Sequence, residues 1–497
     1  MPEGETLLDD LRLRTRSFTS PLPEDDLLAL GRDLASELRR AHAESPARHP
    51  SLDPAGIPLV DRKPRLEGTR ADGDAAEDLF LLGALLNSLA TGSPAQVSWR
   101  LDGPPPFEAS TVARRAVLRA LGSPDPALGY PTAQAALDAL ERAARPALTQ
   151  EPAWGLHRGD PGRRACRPTA PRAASRLEAL WEAVVGAVVA SPVVVGDLVL
   201  APTADGRLLF LERASGRCLH ELPLAAAVEC SPAVSERLVL FGTDDGQVVA
   251  VDFVEGSVRY RAKLGQMIRS SPLLAASRLL VGTIEPRDAG ALVAVDPATG
   301  KPAWRRKLGP VFSSPALGGG HVLVGSDDGS LHAFDADTGR PAWSTPLAGK
   351  VRATPCVGDE LAVVGDFGGS VSALRLADGS VAWRRELGHS VYSSAALAGG
   401  LCVVGCHDGS LRGLDLASGE PRFEARTGGP VVASPVVVGD RIFVGSTDGD
   451  AYLLDTAGSL LERRRLAKGG IQSSAAVSEE LLVVGSSRGL HALVLRP

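Results

Sequence analysis

"SPALGGGHVLVGSDDGSLHAFDADTGRPAWSTPL", residues 314–347, is one complete copy of the repeat that decides the fold. A small residue and a proline are followed by the alternating apolar run "HVLVGS", the turn "DDG", and two further runs, "SLHAFDADTG" and "RPAWSTPL". Apolar residues that alternate over four to eight positions indicate strands, and Asp-Gly pairs indicate tight hairpin turns. Each copy therefore predicts four short strands.

The same pattern occurs eight times between residue 191 and the end of the chain. The first residues of the copies, which we call the anchors, are Ser191, Ser231, Ser271, Ser314, Thr354, Ser394, Ser434 and Ser474. Successive anchors are 40 residues apart, except for one interval of 43. The three extra residues fall in "TIEPRDAGAL", where other copies have a tight turn, so we expect them in a loop at a hairpin tip.

Four-stranded units of about 40 residues predict an all-β propeller, because each small sheet buries its apolar faces only by stacking against its neighbours. The last copy ends after three strands, whereas "EALWEAVVG", residues 178–186, matches a fourth strand and precedes the first anchor. We expect this strand, around Trp181, to pair with the C-terminal strands and close an eight-bladed ring. Seven blades with a decorated end are the alternative.

The repeats resemble those of the quinoprotein, or PQQ-binding-like, superfamily of propellers. The fourth-strand signature of that superfamily appears as "AVDPATGKPAW" at residues 294–304, and "AFDADTGRPAW" and "ALRLADGSVAW" repeat it, ending at Trp343 and Trp383. The resemblance covers residues 177–497. It is specific for the fold and much less specific for function.

Quinoprotein dehydrogenases of this superfamily hold their cofactor over the central channel with calcium, through carboxylate and Asn ligands, often beside a vicinal disulfide. The chain has a single asparagine, Asn87, which lies outside the propeller, and it has no adjacent cysteines. Its aspartates lie mostly in repeated turns, where such side chains usually bind local amides. We therefore expect no cofactor, no metal and no enzymatic activity, which leaves the superfamily branch whose rings serve as assembly or sensing platforms.

Composition limits the remaining function classes. The formal net charge of −6 over 497 residues does not favour a nucleic-acid partner. The acidic N-terminus lacks the pattern of a signal peptide, and no run approaches eighteen apolar residues, so we expect a soluble, cytoplasmic protein without membrane insertion. The six scattered cysteines indicate neither a disulfide framework nor a zinc site, and we interpret them as small buried apolar residues.

Candidate binding residues lie two positions before the anchors, where the chain enters the innermost strand of each blade. The following residue is always Ala, Cys or Ser, which fits the crowded propeller axis, so the preceding side chain is free to face the channel mouth. The candidates for binding a protein, peptide or small ligand are Glu229, Arg269, Phe312, Arg352, Tyr392 and Gln472. Aromatic and Arg side chains dominate binding hot spots. The alternative is solvent-facing variation without a partner.

The N-terminal region predicts helices. "EDDLLALGRDLASELRRAH", residues 24–42, has apolar residues at helical spacing after an acidic start, and "EDLFLLGALLNSLATGSP", residues 77–94, predicts another helix. Together with two later helices, this order resembles the C-lobe of a bacterial Ser/Thr protein kinase over roughly residues 24–142. Asp78 matches the Asp that begins the central helix of that family, whereas Gly129 stands where the family has an Arg.

On this register, "HPSLDPAG", residues 49–56, takes the place of the kinase catalytic loop His-Arg-Asp-Leu-Lys-Pro-x-Asn. His49 is kept, but Ser51 replaces the base, Asp53 the lysine and Gly56 the magnesium-binding Asn. Phosphoryl transfer depends on positioning and charge neutralisation, so the resemblance implies a kinase remnant without activity. The alternatives are a residual nucleotide-binding regulator and an unrelated helical domain with a chance match.

The sequence thus predicts three regions: a degenerate kinase-like helical domain at 1–142, a Pro/Arg-rich flexible linker at 143–176, and the propeller at 177–497. Linker arginines such as Arg163 and Arg164 are expected in solvent, or against an acidic partner or the propeller. We interpret the whole as a non-catalytic interaction or sensing scaffold. A PQQ-dependent oxidoreductase is the main alternative.

Overall fold

The computed structural model describes residues 155–167, 174–235, 237–254, 256–275 and 277–497, with shorter stretches at 30–36, 49–50, 59–60, 63–64 and 69–70. The chain divides into two compact units, Met1–Thr149 and Gln150–Pro497. The second unit therefore contains the propeller and most of the predicted linker.

In the first unit, residues 30–36 form helix α1, inside the stretch for which the sequence predicts a helix, and Leu34 and Ala35 on it are buried. Among the described residues, no helix has the length and apolar character needed to cross a membrane. The kinase-like positions Ser51, Asp53, Gly56 and Asp78 lie outside the described residues.

Two nested antiparallel pairs follow α1. The strands are β1 (His49–Pro50), which pairs with β4 (Thr69–Arg70), and β2 (Leu59–Val60), which pairs with β3 (Lys63–Pro64). His49 therefore lies in a short strand whose partner strand follows directly after Gly68.

The second unit is a propeller of eight four-stranded antiparallel blades, as the repeat predicts. Blade 1 consists of β7 (Val193–Val195), β8 (Leu198–Pro202), β9 (Arg207–Glu212) and β10 (Cys218–Pro223). Blade 2 consists of β11 (Ala233–Ser235), β12 (Leu238–Gly242), β13 (Gln247–Asp252) and β14 (Ser257–Lys263), and blade 3 of β15 (Leu273–Ala275), β16 (Arg278–Glu285), β17 (Ala289–Val295) and β18 (Pro302–Leu308). Blade 4 consists of β19 (Ala316–Gly318), β20 (His321–Gly325), β21 (Ser330–Asp335) and β22 (Pro341–Pro346).

Blade 5 consists of β23 (Cys356–Val357), β24 (Leu361–Gly365), β25 (Ser370–Arg375) and β26 (Val381–Glu386). Blade 6 consists of β27 (Ala396–Ala398), β28 (Leu401–Gly405), β29 (Ser410–Asp415) and β30 (Pro421–Arg426), and blade 7 of β31 (Val436–Val438), β32 (Arg441–Gly445), β33 (Asp450–Asp455) and β34 (Leu460–Arg465). Blade 8 consists of β35 (Ala476–Ser478), β36 (Leu481–Gly485), β37 (Leu490–Arg496) and β6 (Arg176–Ala183). Innermost strands contact one another between blades 2 and 3, 4 and 5, 5 and 6, and 6 and 7, and β35 of blade 8 contacts β7 of blade 1.

Burial within a blade follows the position of each strand. In blade 4, Val322, Leu323 and Val324 of β20 are all fully buried, whereas β22 alternates between exposed and half-buried residues. The middle strands are covered on both faces by neighbouring blades, which explains why they carry continuous apolar runs. The outer strands keep one solvated face and so alternate.

The three extra residues of blade 3 do not form the predicted loop. They lengthen β16 and β17, whose pairing continues through Thr283↔Ala291 to Glu285↔Ala289. The turn that follows has Arg287 and Asp288 at positive φ, 63° and 53°. Two consecutive residues of this conformation match the twist of a hairpin, so the ladder extends instead of opening.

The strand around Trp181 closes the ring, as predicted. β6 pairs antiparallel with β37 from Leu490↔Ala183 to Arg496↔Arg176, and Ala492 lies opposite Trp181. The Trp181 indole Nε1–H donates to the Arg213 carbonyl of blade 1 at 2.8 Å. A strand that precedes the first blade therefore completes blade 8 and ties it to blade 1.

Aromatic residues of the outer strands pack on turn glycines of the next blade in the same way. The aromatic–glycine pairs are Trp181–Gly216, Tyr260–Gly300, Trp304–Gly339, Trp343–Gly379, Trp383–Gly419 and Phe423–Gly458. These contacts explain the glycine that recurs in the second turn of the repeat, because a side chain there would collide with the ring.

Hydrogen bonds join the anchors of neighbouring blades around the axis in seven of the eight pairs. In each pair, the backbone N–H of one anchor donates to the side-chain oxygen of the next, at 2.9 to 3.2 Å: Ser191–Ser231, Ser231–Ser271, Ser271–Ser314, Thr354–Ser394, Ser394–Ser434, Ser434–Ser474 and Ser474–Ser191. The last pair joins the final blade to the first. The hydroxyl at the start of seven of the eight repeats, all except Thr354, is therefore an inter-blade contact.

Residues 155–167, which we call the plug, fill one end of the channel. Innermost-strand amides donate to plug carbonyls at 2.7 to 3.0 Å in the pairs Val234–Gly155, Leu317–Pro161, Val357–Gly162, Leu397–Arg164 and Val437–Ala165. At its end, β5 (Cys166–Arg167) adds a parallel strand to β31. This differs from the prediction of a flexible linker, because backbone pairing with the blades fixes this part of it.

Two plug arginines, Arg158 and Arg163, are 1% and 0% exposed. Arg163 donates from Nε to the Pro315 carbonyl at 3.0 Å and from Nη2 to the Pro272 carbonyl at 2.8 Å. Burial lowers the pKa of Arg163 to about 9, with Asp160 opposing this shift and Arg158 adding to it. Of the alternatives left open for Arg163, contact with the propeller is confirmed.

Replacing Gly216 with Ala tests the contact that closes the ring. Gly216 has φ +71°, and an added Cβ would lie within 3 Å of the Trp181 indole. Gly400 has nearly the same φ, +76°, but no atom lies within 4 Å of its Cβ position. We expect G400A to cost about 1 kcal/mol from backbone strain, and G216A about 2 to 4 kcal/mol because overpacking adds to it.

The measurement is the free energy of unfolding from urea titration of both variants. Equal losses for G216A and G400A would show that the Trp181 contact adds nothing to the backbone effect.

Candidate functional site

The residues two positions before the anchors lie at the opposite end of the channel from the plug. Plug carbonyls bind amides three positions after the anchors, so five residues, at most roughly 18 Å of fully extended chain, separate the two levels. Glu229, Arg269 and Phe312 are half-buried there, while the residues that follow them, Cys230, Ser270 and Ser313, are almost fully buried. In these three blades a half-buried side chain is therefore followed by a small buried one, which contacts blade backbone: Cys230 contacts Gly242, Ser270 contacts Gly282 and Ser313 contacts Gly325.

A second set of residues, from the turns between the two middle strands, joins the same mouth. Backbone N–H groups of Asp244 and Asp327 donate to the carbonyls of Ala227 and Pro310, both at 2.9 Å, which holds these turns beside the entry to the innermost strand. The corresponding turn residue in blade 5 is Phe367. Sequence reasoning missed all three residues because it treated the turns as backbone structure.

We call eight residues the mouth cluster: Glu229, Asp244, Arg269, Phe312, Asp327, Arg352, Phe367 and Tyr392. Both Asp residues precede their arginine partners by 25 positions, from Asp244 to Arg269 and from Asp327 to Arg352. This repeated spacing of opposite charges is the signal that would have identified them.

Arg269 binds two carboxylates. Its Nε and Nη2 donate to Asp244 at 3.1 and 2.9 Å, and its Nη1 lies 2.9 Å from Glu229 Oε2. Partial burial raises the pKa of Glu229, an effect that Arg269 opposes and Asp244 reinforces. The Arg269 side chain, which precedes blade 3, thus joins that blade to the two carboxylates of blade 2 at the mouth.

Arg352 is held from three sides. Its Nε and Nη2 donate to Asp327 at 2.9 and 2.7 Å, and its guanidinium lies 4.0 Å from the ring centroid of Phe312 and 5.2 Å from that of Phe367. The Asp327 side chain is only 5% exposed. The two-point ion pair and the aromatic contacts fix this guanidinium in place.

Tyr392 is the most open member of the cluster, at 42% exposure. Its ring centroid lies 5.8 Å from that of Phe367. Burial of its inner part raises the pKa of Tyr392, with Arg352 opposing and Glu229 reinforcing the shift. Gln472 is exposed and makes no side-chain hydrogen bond to any residue that the structure describes, so the sequence-predicted set is only partly brought together.

The mouth has two unlike sides. The equivalent positions in blades 1, 7 and 8 hold uncharged residues: Val189, Ala204, Val432, Thr447, Gln472 and Ser487. The charged and aromatic side chains therefore concentrate on the arc from blade 2 to blade 6. Such an arc suits recognition of one face of a partner better than a symmetric ring.

The charges of this arc balance. Lys350 Nζ lies 3.3 Å from Asp327, so three cations, Lys350, Arg269 and Arg352, are matched by the three carboxylates of the cluster. In the part of the chain that the structure describes, no group of three His, Cys, Asp or Glu side chains is placed to hold a metal ion. This arrangement of charged and aromatic side chains is suited to binding a polar and aromatic surface.

One cysteine, Cys230, directly follows Glu229 of the mouth cluster, but its side chain is buried. Cys230, Cys356, Cys402 and Cys406 are buried, and none of the six cysteines forms a disulfide. Burial raises the pKa of Cys356 to about 12. For these four, the interpretation as small buried residues is confirmed.

Exchanging Asp327 for Asn tests whether Arg352 is fixed by its ion pair. The amide loses the negative charge and turns a donor toward the guanidinium, so we expect D327N to lower the free energy of unfolding by about 2 kcal/mol. The control is D328N in the same turn. Asp328 is 34% exposed and accepts from the Ser330 N–H, a bond that Asn preserves.

Urea unfolding should show a loss for D327N that is at least 1 kcal/mol greater than that for D328N. Indistinguishable midpoints would mean that the Asp327–Arg352 pair does not order the mouth.

Several solved structures share the fold. BamB from Moraxella catarrhalis is 19% identical, with 65% of this chain and 100% of that chain covered at a TM-score of 0.56. A europium-containing methanol dehydrogenase is 15% identical, with 67% and 89% covered at 0.59. A computationally designed protein, Ika8, is 16% identical, with 64% and 100% covered at 0.57. At these identities the likeness concerns the fold alone.

Comparison with curated proteins finds no match. A family model of PQQ-like repeats, described as outer membrane protein assembly factor BamB, matches residues 223–305 and 288–496, more than half of the chain. The chain therefore belongs to this BamB-like family of PQQ-repeat propellers.

Proposed function

We propose that the chain is a non-catalytic scaffold whose propeller binds a protein or peptide partner at the mouth cluster. The observation that carries this proposal is the fixed stack of Phe312, Arg352 and Phe367 beside the exposed Tyr392. Rigid aromatic and Arg side chains bind at a low entropic cost and dominate interface energetics.

The family supports this proposal. Its description names an assembly factor, which is a function of protein contacts rather than of chemistry on a small substrate. The proposal also includes a reducing, cytoplasmic compartment, which the six unpaired thiols favour.

The main alternative is quinoprotein catalysis, since the fold neighbours include a methanol dehydrogenase. PQQ is a flat tricarboxylate, so it needs available cations at the channel mouth. Arg269 and Arg352 are already engaged by carboxylates at two points each, and Arg158 and Arg163 extend into the channel from the other end. These residues do not fit the cofactor, which favours the scaffold.

We also propose that the N-terminal unit is kinase-derived and inactive. In its favour, the short strand His49–Pro50, at the start of the stretch that matches the kinase catalytic loop, pairs with Thr69–Arg70 further along the chain. Ser51 in place of the base and Gly56 in place of the Asn leave no group for proton or magnesium binding.

Replacing Tyr392 with Ala tests the binding surface. Tyr392 takes part in no salt bridge in the described residues, so its loss leaves no buried charge unpaired, unlike the loss of Arg269 or Arg352. V381A is the matched control, because Val381 is 40% exposed on the outer strand β26, away from the mouth. We expect affinity capture with the full chain to lose a specific partner at least tenfold with Y392A and to retain it with V381A.

A partner captured equally by the wild type, Y392A and the double variant R269A/R352A would place binding elsewhere on the molecule and contradict the proposal.

Titration with PQQ and calcium separates the scaffold from the oxidoreductase. We expect no saturable change in the PQQ absorption spectrum and no rise in Tm, because the mouth arginines are occupied. Saturable binding that R269A/R352A abolishes would overturn the non-catalytic proposal.

A further inference from the structure

The plug makes a regular set of contacts with the propeller. Its carbonyls accept from the amide three positions after the anchor in five blades, in the order of the blades around the ring: 2, 4, 5, 6 and 7. Each contacted amide comes from an innermost strand, whose inner edge faces the channel. The end of the channel therefore offers a curved row of backbone donors, which the plug follows through tight turns with Arg158, Arg163 and Ala165 at positive φ, 63°, 60° and 50°.

The same end also offers acceptors. Carbonyl oxygens of Pro272 and Pro315 receive Arg163, and that of Ala395 receives Arg158 Nη2. A weaker contact joins Arg163 Nη2 to the Ser271 carbonyl at 3.4 Å. Blades 3, 4 and 6 thus each direct at least one main-chain carbonyl into the channel.

A guanidinium fits this arrangement because it carries five donors in a fixed fork. Arg163 alone reaches carbonyls from two blades and also the His157 carbonyl, at 2.6 Å. A lysine has one donor nitrogen at the end of a flexible stem, so it would leave most of these carbonyls without a partner. The site therefore discriminates by shape as well as by charge.

Neither buried arginine has a carboxylate partner among the described residues. The neighbouring Arg164, in contrast, lies 52% exposed with its Nε 3.1 Å from Asp160 Oδ2. One face of the plug is thus directed at backbone carbonyls inside the channel, while the other carries an ordinary surface ion pair.

We propose that this end of the channel is a recognition site for a peptide that adopts the turns of the plug and carries two arginines five residues apart, occupied in this chain by its own Arg158 and Arg163. The site is separate from the mouth cluster, and the inference does not depend on the function proposed for that cluster. The plug is an intramolecular ligand, and a partner with the same arginine spacing can occupy the site only when the contacts of the plug are weakened.

The site is occupied by a segment of the same chain, and this determines how peptide binding must be measured. A tethered segment has an effective concentration in the millimolar range, so an added peptide cannot compete with an intact plug. Weakening the plug in the full chain should open the site to a peptide that keeps both arginines.

The probe is a fluorescein-labelled peptide with the sequence of residues 155–167, in which Cys166 is replaced by Ser. Its binding to the full-length wild type, to R158A/R163A and to the control R164A is measured by fluorescence anisotropy. We expect binding to R158A/R163A to be at least tenfold tighter than to the wild type or to R164A. A peptide with both buried arginines changed to Ala should bind that variant at least tenfold more weakly than a peptide with only Arg164 changed.

Equal binding to the wild type and to a cooperatively melting R158A/R163A would overturn the proposal, as would equal binding of the two altered peptides. If the double variant does not melt cooperatively, R163K takes its place, because it keeps the charge but loses the fork. The same tenfold differences are required of it.

Discussion

The pairing of β6 with β37 is the interaction on which every other part of the propeller depends. Seven blades complete themselves from consecutive strands, but blade 8 has only three strands of its own and takes its fourth from residues 176–183. The Ser474–Ser191 hydrogen bond joins the same two blades at the axis, and Trp181 joins them at the rim. Without this closure, blades 1 and 8 would each expose an apolar face and a strand edge.

A closed ring creates a channel with two different ends, and the chain uses them differently. At one end, side chains that vary from blade to blade produce a charged and aromatic arc. At the other, the innermost strands present backbone groups at equivalent positions of the repeat, and the plug binds amides of five blades with its backbone and carbonyls of three blades with two arginines. The chemistry of the mouth is set by side chains that differ between blades, whereas the plug binds backbone groups that recur at equivalent positions of the blades.

The difference between the two ends also explains which features of the structure could be predicted from the sequence. Strand number, blade number and the closing strand followed from the repeat, because hydrophobic alternation and turn glycines report directly on backbone geometry. The pre-anchor residues were found because a conserved small neighbour within the repeat marks the axis. Asp244 and Asp327 were missed because their role depends on a partner one blade away, visible only as a constant spacing.

The plug was missed for a different reason. Arg158 and Arg163 lie in a segment rich in Pro, Gly and Arg, a composition typical of solvated linkers. Their partners are main-chain carbonyls, which leave no trace in the identity of any residue. The lengthened hairpin of blade 3 was not predicted for a similar reason, because the sequence does not distinguish three extra residues in a loop from three that extend the strand pairing.

Hydrogen exchange of the full chain, followed by mass spectrometry, tests ring closure most directly. The account predicts that the amides through which residues 176–183 and 490–496 pair with each other exchange only through global unfolding, with the same free energy as the paired amides of β20 and β21 in blade 4. Exchange of residues 176–183 by local opening, while blade 4 stays protected, would show that β6 is a peripheral strand and would contradict the closed ring.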